Sequence, residues 1–284
     1  MKFPRFIRHG ENFIKQIITQ KNITAKDNKI VYESKDVVDF YAKQHDLQEP
    51  ESAVLNKLGS KLAAMSMLDI GVGAGRTTLH FALLAKKYLG IDYSTEMINA
   101  CLKKYQNSPK ISFLVSDART LKRFKNSSFD FVLFSFNGID YMNHEERIET
   151  LREIRRIIRH GGFFCFSTHN LNFLFNKCQI KLSKHPVIFV SCIFNLLQIR
   201  FLNKTNAWKT IRSSYRRQQF TMVNDDGTHN FRLRTYYITP IEQLKQLRRC
   251  GYSDTKIYSL TDGHEIKNLS ADIDHWAYFL TKVP

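Results

Sequence analysis

Asp69-Ile70-Gly71-Val72-Gly73-Ala74-Gly75 follows the apolar run Met65 to Leu68 and leads into a segment patterned as a helix. A strand that ends in closely spaced glycines lets the backbone turn sharply and approach a ligand that side chains would exclude. The spacing then selects among nucleotide cofactors. A dinucleotide fingerprint, G-x-G-x-x-G, needs its third glycine where this chain has Arg76, whereas the third glycine here is Gly75. A diphosphate needs the open helix N-terminus as an anion site, and a cofactor without phosphates does not.

Further strand ends carry the reading outward. Leu89-Gly90-Ile91-Asp92 is patterned as a second short strand ending in a carboxylate, placed to accept hydrogen bonds from both hydroxyls of a ribose. A third, Ile111 to Ser116, ends in Asp117-Ala118, an acid able to accept from an adenine amino group beside a small residue that leaves room for the ring. A fourth, Phe129 to Phe136, runs into Asn137-Gly138-Ile139-Asp140-Tyr141. In this order the motifs resemble the class I S-adenosylmethionine-dependent methyltransferases, over about Lys35 to His169 and again from Ile238 to the C-terminus. The resemblance implies an α/β fold, a doubly wound, seven-stranded, mostly parallel Rossmann-like sheet, with S-adenosyl-L-methionine as cofactor. It divides the chain into an N-terminal extension (1–34) and a methyltransferase domain (35–284), in which 170–237 is an inserted lid after the fifth strand.

Composition fits one globular unit. The chain has 284 residues, 43% of them hydrophobic, with 22 Phe and no internal repeat. Cys101, Cys165, Cys178, Cys192 and Cys250 are odd in number and far apart, with no C-x-x-C pair to suggest zinc or redox chemistry; no metal is expected, and a reducing cytosol is the simplest home. Met1 to Phe6 lacks the apolar core of a secretory signal, so no export is expected. Charge is the unusual feature, at +17. From Ile154 to Asn224 there is no Asp or Glu, and the cations there include Arg155, Arg156, Arg159, Arg212, Arg216 and Arg217. Such a block attracts an anionic substrate, nucleic acid or an acidic membrane surface, or serves as a solvated basic face.

Periodicity supplies the other elements. Phe13-Ile14 and Ile17-Ile18 predict an amphipathic helix, and a helix from about Ser52 to Leu62 follows Leu47-Gln48-Glu49-Pro50-Glu51. Helix A is predicted from Arg76 to Lys86 and helix B from Ser94, an N-cap, to Tyr105. Ile148, Leu151, Ile154, Ile157 and Ile158 make the stripe of a sheet-covering helix from His144 to Arg159, which Gly161-Gly162 is expected to stop before a fifth strand, Phe163 to Thr168. Pro186 to Leu197 is apolar but shorter than the ~20 residues that span a bilayer, and reads as a lid helix. Ser213 to Val223, the turn Asn224 to Gly227, and Thr228 to Ile238 predict a β-hairpin.

The resemblance assigns roles residue by residue. Asp69, Gly71, Gly73 and Gly75 position the cofactor, Asp92 with Tyr93 beside it holds the ribose, and Asp117 with Ala118 holds the adenine. Met97 is an apolar platform for the adenine, Tyr41 a lid aromatic, Phe134 and Ser135 offer backbone to the methionine amino group, and Arg76 approaches the cofactor carboxylate. Asn137, Asp140 and Tyr141 lie just beyond the fourth strand, where the reacting atom belongs in such a fold. His169 is the candidate proton acceptor. Tyr215, His229, Arg234, Tyr236 and Tyr237 are candidates to shape an acceptor pocket. The expected partner is a small-molecule acceptor methylated on nitrogen or oxygen. RNA is the alternative that the basic stretch supports, against which stands Phe136-Asn137-Gly138-Ile139 in place of an Asn/Asp-Pro-Pro-aromatic signature. A binding protein without turnover and peripheral docking at a membrane complete the alternatives.

Overall fold

The computed structural model describes residues 30, 32–106, 108–177, 207–223, 234–269 and 274–284. The expected helix around Phe13 to Ile18, the apolar run Pro186 to Leu197, the turn Asn224 to Gly227 and His229 lie outside them. In chain order the elements are α1 (Lys35–Ala42), α2 (Glu49–Leu58), β1 (Ser66–Ile70), α3 (Thr78–Phe81), β2 (Lys87–Asp92), α4 (Thr95–Lys104), β3 (Ile111–Val115), β4 (Phe129–Phe134), α5 (His144–Ile157), β5 (Ile158–Asn170), α6 (Leu171–Lys177), α7 (Ala207–Arg216), β6 (Phe220–Val223), β7 (Thr235–Ile238), α8 (Pro240–Arg249), β8 (Ser253–Ser259) and β9 (Trp276–Lys282). Among the described residues no helix is long and apolar enough to cross a membrane.

The spine of the sheet runs β3-β2-β1-β4-β5-β9-β8, parallel except for the antiparallel β9. These seven strands make up the doubly wound sheet expected from the sequence. Two more, β6 and β7, form an antiparallel pair that joins it where β4 stops: Phe134 of β4 pairs with Phe166, and beyond it His169 and Asn170 of β5 pair with Tyr237 and Ile238 of β7.

The period of 2 explains how the sheet holds two layers of helices. Leu68, Val132, Phe134, Phe164 and Phe166 pack on one face with Leu151, Ile154 and Ile157 of α5 and Leu247 of α8. Met67, Phe131, Leu133 and Cys165 pack on the other with Val54 and Leu58 of α2 and with Phe81. Helix B forms where expected, as α4, with the Ser94 hydroxyl accepting from the Met97 N–H at 3.3 Å.

Three local expectations are corrected. Helix A is a single turn, Thr78–Phe81, because the chain must rejoin the sheet at Lys87 beside Ser66; Leu79, Leu83 and Leu84 are left exposed, with no layer over them among the described residues. Gly161-Gly162 does not stop α5, which ends at Ile157 as β5 begins at Ile158. The glycines instead accommodate an irregular register against β4: Gly161 has φ +78, and a Cβ on Gly162 would lie 2.7 Å from the Asp130 carbonyl oxygen. The first hairpin strand is shorter than predicted, since Ser213 to Arg216 is the end of α7, an amphipathic helix whose Ile211 joins Leu171, Leu174, Val223 and Tyr237 in a small separate core.

Candidate cofactor and acceptor site

The ends of β1 to β4 meet at a cavity of about 760 Å³, inside the roughly 300–1,000 Å³ range of small-molecule sites. It lies where the strand order reverses about β1, the position at which doubly wound sheets bind ligands. Every cofactor candidate except Gly75 lines it: Tyr41, Asp69, Gly71, Gly73, Arg76, Asp92, Tyr93, Met97, Asp117, Ala118, Phe134 and Ser135.

The glycines differ in what they do. A Cβ on Gly73 would meet nothing within 4 Å, so the bare backbone there faces open space, and its N–H donates to Asp92. Gly75, with φ +84, turns away from the cavity: a Cβ would come within 2.8 Å of the Tyr105 ring and 3.2 Å of the Cys101 sulfur. Its requirement is close packing on α4, not contact with a ligand.

Two acids lie at the floor. The Asp69 carboxylate accepts the Thr77 and Tyr88 hydroxyls, both at 2.6 Å. Asp92 accepts the backbone N–H groups of Gly73 at 3.0 Å and Ser94 at 2.9 Å, and makes no ion pair among the described residues. Burial pushes the Asp69 carboxyl up to about 6, with the hydrogen bonds from Thr77 and Tyr88 offsetting part of the effect. Burial likewise pushes Asp92 up to about 6 against backbone N–H bonds from Ser94, Gly73 and Tyr93. A buried carboxylate without a counter-ion is open to further donors, which a ribose supplies.

Because both acids titrate above their ordinary value of 3.8, the folded chain holds more protons than the unfolded one between about pH 4 and pH 6. The stability they contribute is present below that window and is lost as the pH rises through about 6. Asp92→Asn removes one of the two. The difference in urea stability between wild type and Asp92→Asn is therefore expected to move in favour of the wild type as the pH is lowered from about 7 to about 5. A pH-independent difference would place the Asp92 carboxyl in its ordinary range.

Just past the end of β3, Asp117 is already engaged. The Arg119 guanidinium reaches its Oδ2 at 2.6 Å and, at 2.8 Å, Glu146 on α5. Arg119 and Arg123 line the cavity beside it, which the sequence reading did not anticipate. Tyr32 also lines the cavity, with its ring at 6.1, 6.0 and 5.8 Å from those of Tyr41, Tyr93 and Tyr141. No periodic signal marked it.

At the opposite end, Phe136 and Asn137 are consecutive residues in the left-handed region, with φ 56 and 60. Such positions cost on the order of 1–3 kcal/mol each outside glycine and concentrate at functional sites. The Ser167 hydroxyl accepts the Asn137 N–H at 2.8 Å, and the Arg76 guanidinium covers the Phe136 ring at 4.6 Å. The kink keeps Phe136 on the cavity wall.

Of the residues expected at the reacting atom, only Tyr141 lines the cavity. Asn137 is buried beneath the kink, its Oδ1 without a partner among the described residues. Asp140 cannot meet a substrate, because its fully buried carboxylate accepts from Arg147 Nη1 at 2.6 Å, the Thr168 hydroxyl at 2.7 Å, and both Nδ1 and the backbone N–H of His169 at 2.7 Å. His169 is thus held by Asp140 beside the cavity instead of within it. Its ring packs against Tyr237 at 5.1 Å and Trp276 at 5.8 Å, and Trp276 in turn against Phe136 at 6.3 Å. Of the other pocket candidates, Tyr236 is buried beneath Arg147 and Tyr215 stacks on Phe175 at 3.9 Å. Among the described residues no cluster of three or more His, Cys, Asp or Glu side chains is disposed to hold a metal.

Residues 67–162, which carry the glycine loop, Asp92, Asp117 and β4, match a family described as a methyltransferase domain. That segment is a methyltransferase domain, and the fold is that of the class I S-adenosylmethionine-dependent methyltransferases. An uncharacterized protein of Methanocaldococcus jannaschii is 31% identical over 174 residues, covering 57% of this chain and 64% of its own length. An uncharacterized methyltransferase of Bacillus subtilis is 27% identical over 105 residues, covering 36% and 40%. The chain thus spans less than two thirds of either relative. Among solved structures, the CcbJ methyltransferase of Streptomyces caelestis shares the fold at a TM-score of 0.55 and 16% identity, over 89% of this chain and 98% of that one. So does the Burkholderia thailandensis 1,6-didemethyltoxoflavin-N1-methyltransferase, with bound 1,6-didemethyltoxoflavin and S-adenosylhomocysteine, at 0.52 and 12%, over 93% of each. The cofactor of such methyltransferases is S-adenosylmethionine, and the cavity's volume and the buried Asp92 carboxylate, without a counter-ion among the described residues, fit it.

Proposed function

We propose that this chain transfers the methyl group of S-adenosylmethionine to a nitrogen or oxygen of a small-molecule acceptor. The observation that carries the reading is Asp92, a buried carboxylate at the end of β2 that has backbone donors but no counter-ion among the described residues, at the floor of a cavity of cofactor size. The cofactor, when bound, supplies a methyl already activated on a sulfonium. The chain's tasks are to hold the cofactor, orient the acceptor and exclude water. Asp92 holds the ribose hydroxyls, Gly71 and Gly73 let the backbone come close, and Tyr93, Met97 and Ala118 form the adenine slot. Asp117 contributes there together with the Arg119 that it fixes.

On the acceptor side, the kinked Phe136 separates the cavity from Trp276 and His169. His169 accepts the proton that an attacking N–H or O–H must lose, with Asp140 behind it as a positioning residue. The described parts of 170–237, α6, α7 and the β6–β7 pair, gather at the end of β5 on this side. The small-molecule acceptor named for the Burkholderia protein of like fold supports the same class here.

Calorimetric titration with S-adenosylmethionine, and separately with NAD, tests the reading. Saturable binding of the former alone is expected. Asp92→Ala should weaken it about tenfold to hundredfold, the worth of charge-assisted hydrogen bonds. Binding of NAD, or no binding of S-adenosylmethionine by folded protein, would overturn it.

A further inference from the structure

The cofactor cavity occupies the carboxyl ends of the strands, and a second cavity, of about 580 Å³, opens at their amino ends, where β4 and β5 begin. The ends of α5 and α8 and the start of β5 build it. Arg152, Arg155, Arg156, His160 and Arg249 line it, with Ser127 from the turn before β4. Among the described residues no Asp or Glu side chain does.

Arg156 and Arg249 are neutralised, whereas Arg152 and Arg155 are not. Arg156 pairs with Glu153 at 2.9 Å and donates to the Leu121 and Phe124 carbonyls at 3.0 and 2.8 Å, so it serves as wall. Arg249 pairs with Glu242 at 3.1 Å. Arg152 makes no hydrogen bond or ion pair among the described residues. Arg155 donates there only through Nε, to the Gly251 carbonyl at 3.0 Å. That bond and the glycine fix it. Gly251 has φ +84 just past α8, and a Cβ there would lie 2.5 Å from Arg155 Nε and 3.2 Å from its Cζ. The guanidinium is thus held against bare backbone by its Nε side, and its two Nη atoms are left unengaged at the cavity.

Basic residues in a last helical turn also complement the helix dipole, worth about half an elementary charge at each C-terminus. The two helix ends here offset about one charge; Arg152 and Arg155 bring two, so the cavity keeps a positive excess. Ser127, on the wall, has φ 53, a left-handed position that costs a residue other than glycine on the order of 1–3 kcal/mol and concentrates at ligand sites.

We propose that this cavity is a second ligand site, separate from the cofactor cavity, for the phosphate group of a small phosphate monoester. Such a group carries a charge of about −1.5 to −2 at pH 7, which the two unpaired guanidinium groups match. Its oxygens accept from guanidinium edges in pairs. Among the described residues no Phe, Tyr or Trp lines the cavity, which favours a compact phosphate over single-stranded RNA, whose bases need a ring to stack on.

Calorimetry of the full chain with inorganic phosphate tests this, in about 0.15 M chloride salt so that distant charges are screened. Saturation at one phosphate per chain, with a dissociation constant below about 1 mM, is expected. Arg152→Gln/Arg155→Gln should weaken it more than about tenfold, the worth of charge-assisted hydrogen bonds. Urea denaturation verifies that the variant is folded. Should it not fold, Arg152→Gln alone, which breaks no bond of the described residues, should weaken phosphate about fivefold. Arg212→Gln, which removes an exposed cation of α7 outside the cavity, should leave the affinity within about twofold.

No saturable binding by the wild type would overturn the proposal. So would full affinity in a folded arginine variant of the cavity, or an equal loss in Arg212→Gln, which would reduce the binding to net charge. A short oligouridine and phosphatidylcholine vesicles carrying phosphatidic acid are the remaining arms. If either binds more than about a hundredfold tighter than phosphate and loses that affinity in Arg152→Gln, the face is a nucleic-acid or membrane surface and the small-ligand assignment falls.

Discussion

Arg147→Ala is expected to lower the stability of the fold by about 3–5 kcal/mol, the usual cost of leaving one member of a buried ion pair without its partner. Arg147 lies on α5 with no exposed surface, and it spans the joint between the covering helices and the end of β5. Its guanidinium donates to Asp140 at 2.6 Å, Gln243 at 2.6 Å, Thr168 at 3.0 Å and the Ile139 carbonyl at 3.3 Å, and covers the Tyr236 ring at 4.6 Å. Truncation strands the Asp140 carboxylate in the interior and leaves a void beneath Tyr236. Against a total stability of about 5–15 kcal/mol for a typical domain, that is a large fraction. Urea denaturation measures it. The double variant Arg147→Met/Asp140→Asn removes the stranded charge and should recover at least half of the loss, since replacing a whole buried pair is often close to neutral. A loss below about 1 kcal/mol for Arg147→Ala would mean that the interior admits water at this joint.

The cofactor end was legible because its residues are neighbours in the chain. Asp69 to Gly75 lie on one strand and its turn, and Asp92 and Asp117 end the next two strands. In a parallel sheet all such ends emerge on one side, so strand patterning alone brings them together. Arg76 could be singled out only through the resemblance, since its partner, Glu51, is 25 positions away on a helix whose sequence shows only a cap. Gly75 was taken with its neighbours because a glycine needed for packing and one needed for a ligand look alike until Tyr105 is in place. Helix A failed for a related reason. Its apolar residues have helical spacing, but among the described residues no layer covers Leu83, and the return to Lys87 leaves room for one turn. Asp140 and His169 were both singled out, yet as separate groups facing a substrate. Only the pairing of 138–141 with the end of β5 shows that one holds the other.

That pairing makes His169→Asn the substitution with the largest expected effect on rate. A carboxylate only accepts, so Nδ1 of His169, 2.7 Å from Asp140 Oδ2, carries the proton and Nε2 keeps its lone pair. Among the described residues Nε2 has no hydrogen-bond partner, and the side chain retains 15% exposure. The surrounding groups are Tyr237 and Trp276 against the ring, with Arg147 behind Asp140. An imidazole held in one tautomer on the acceptor side of Phe136 is arranged to take a proton once, without first reorienting. With an acceptor identified by screening small amines, phenols and acids against labelled S-adenosylmethionine, His169→Asn should lower kcat by about 10²- to 10⁴-fold, the range of general-base catalysis. Calorimetric affinity for S-adenosylmethionine should stay unchanged. Asp140→Asn should lower kcat less and leave the acceptor KM in place; a merely structural Asp140 would not split the two. If His169→Asn turns over within a few fold of the wild type, proton removal is left to solvent, and the Asp140–His169 pair serves only to join the loop at 138–141 to β5.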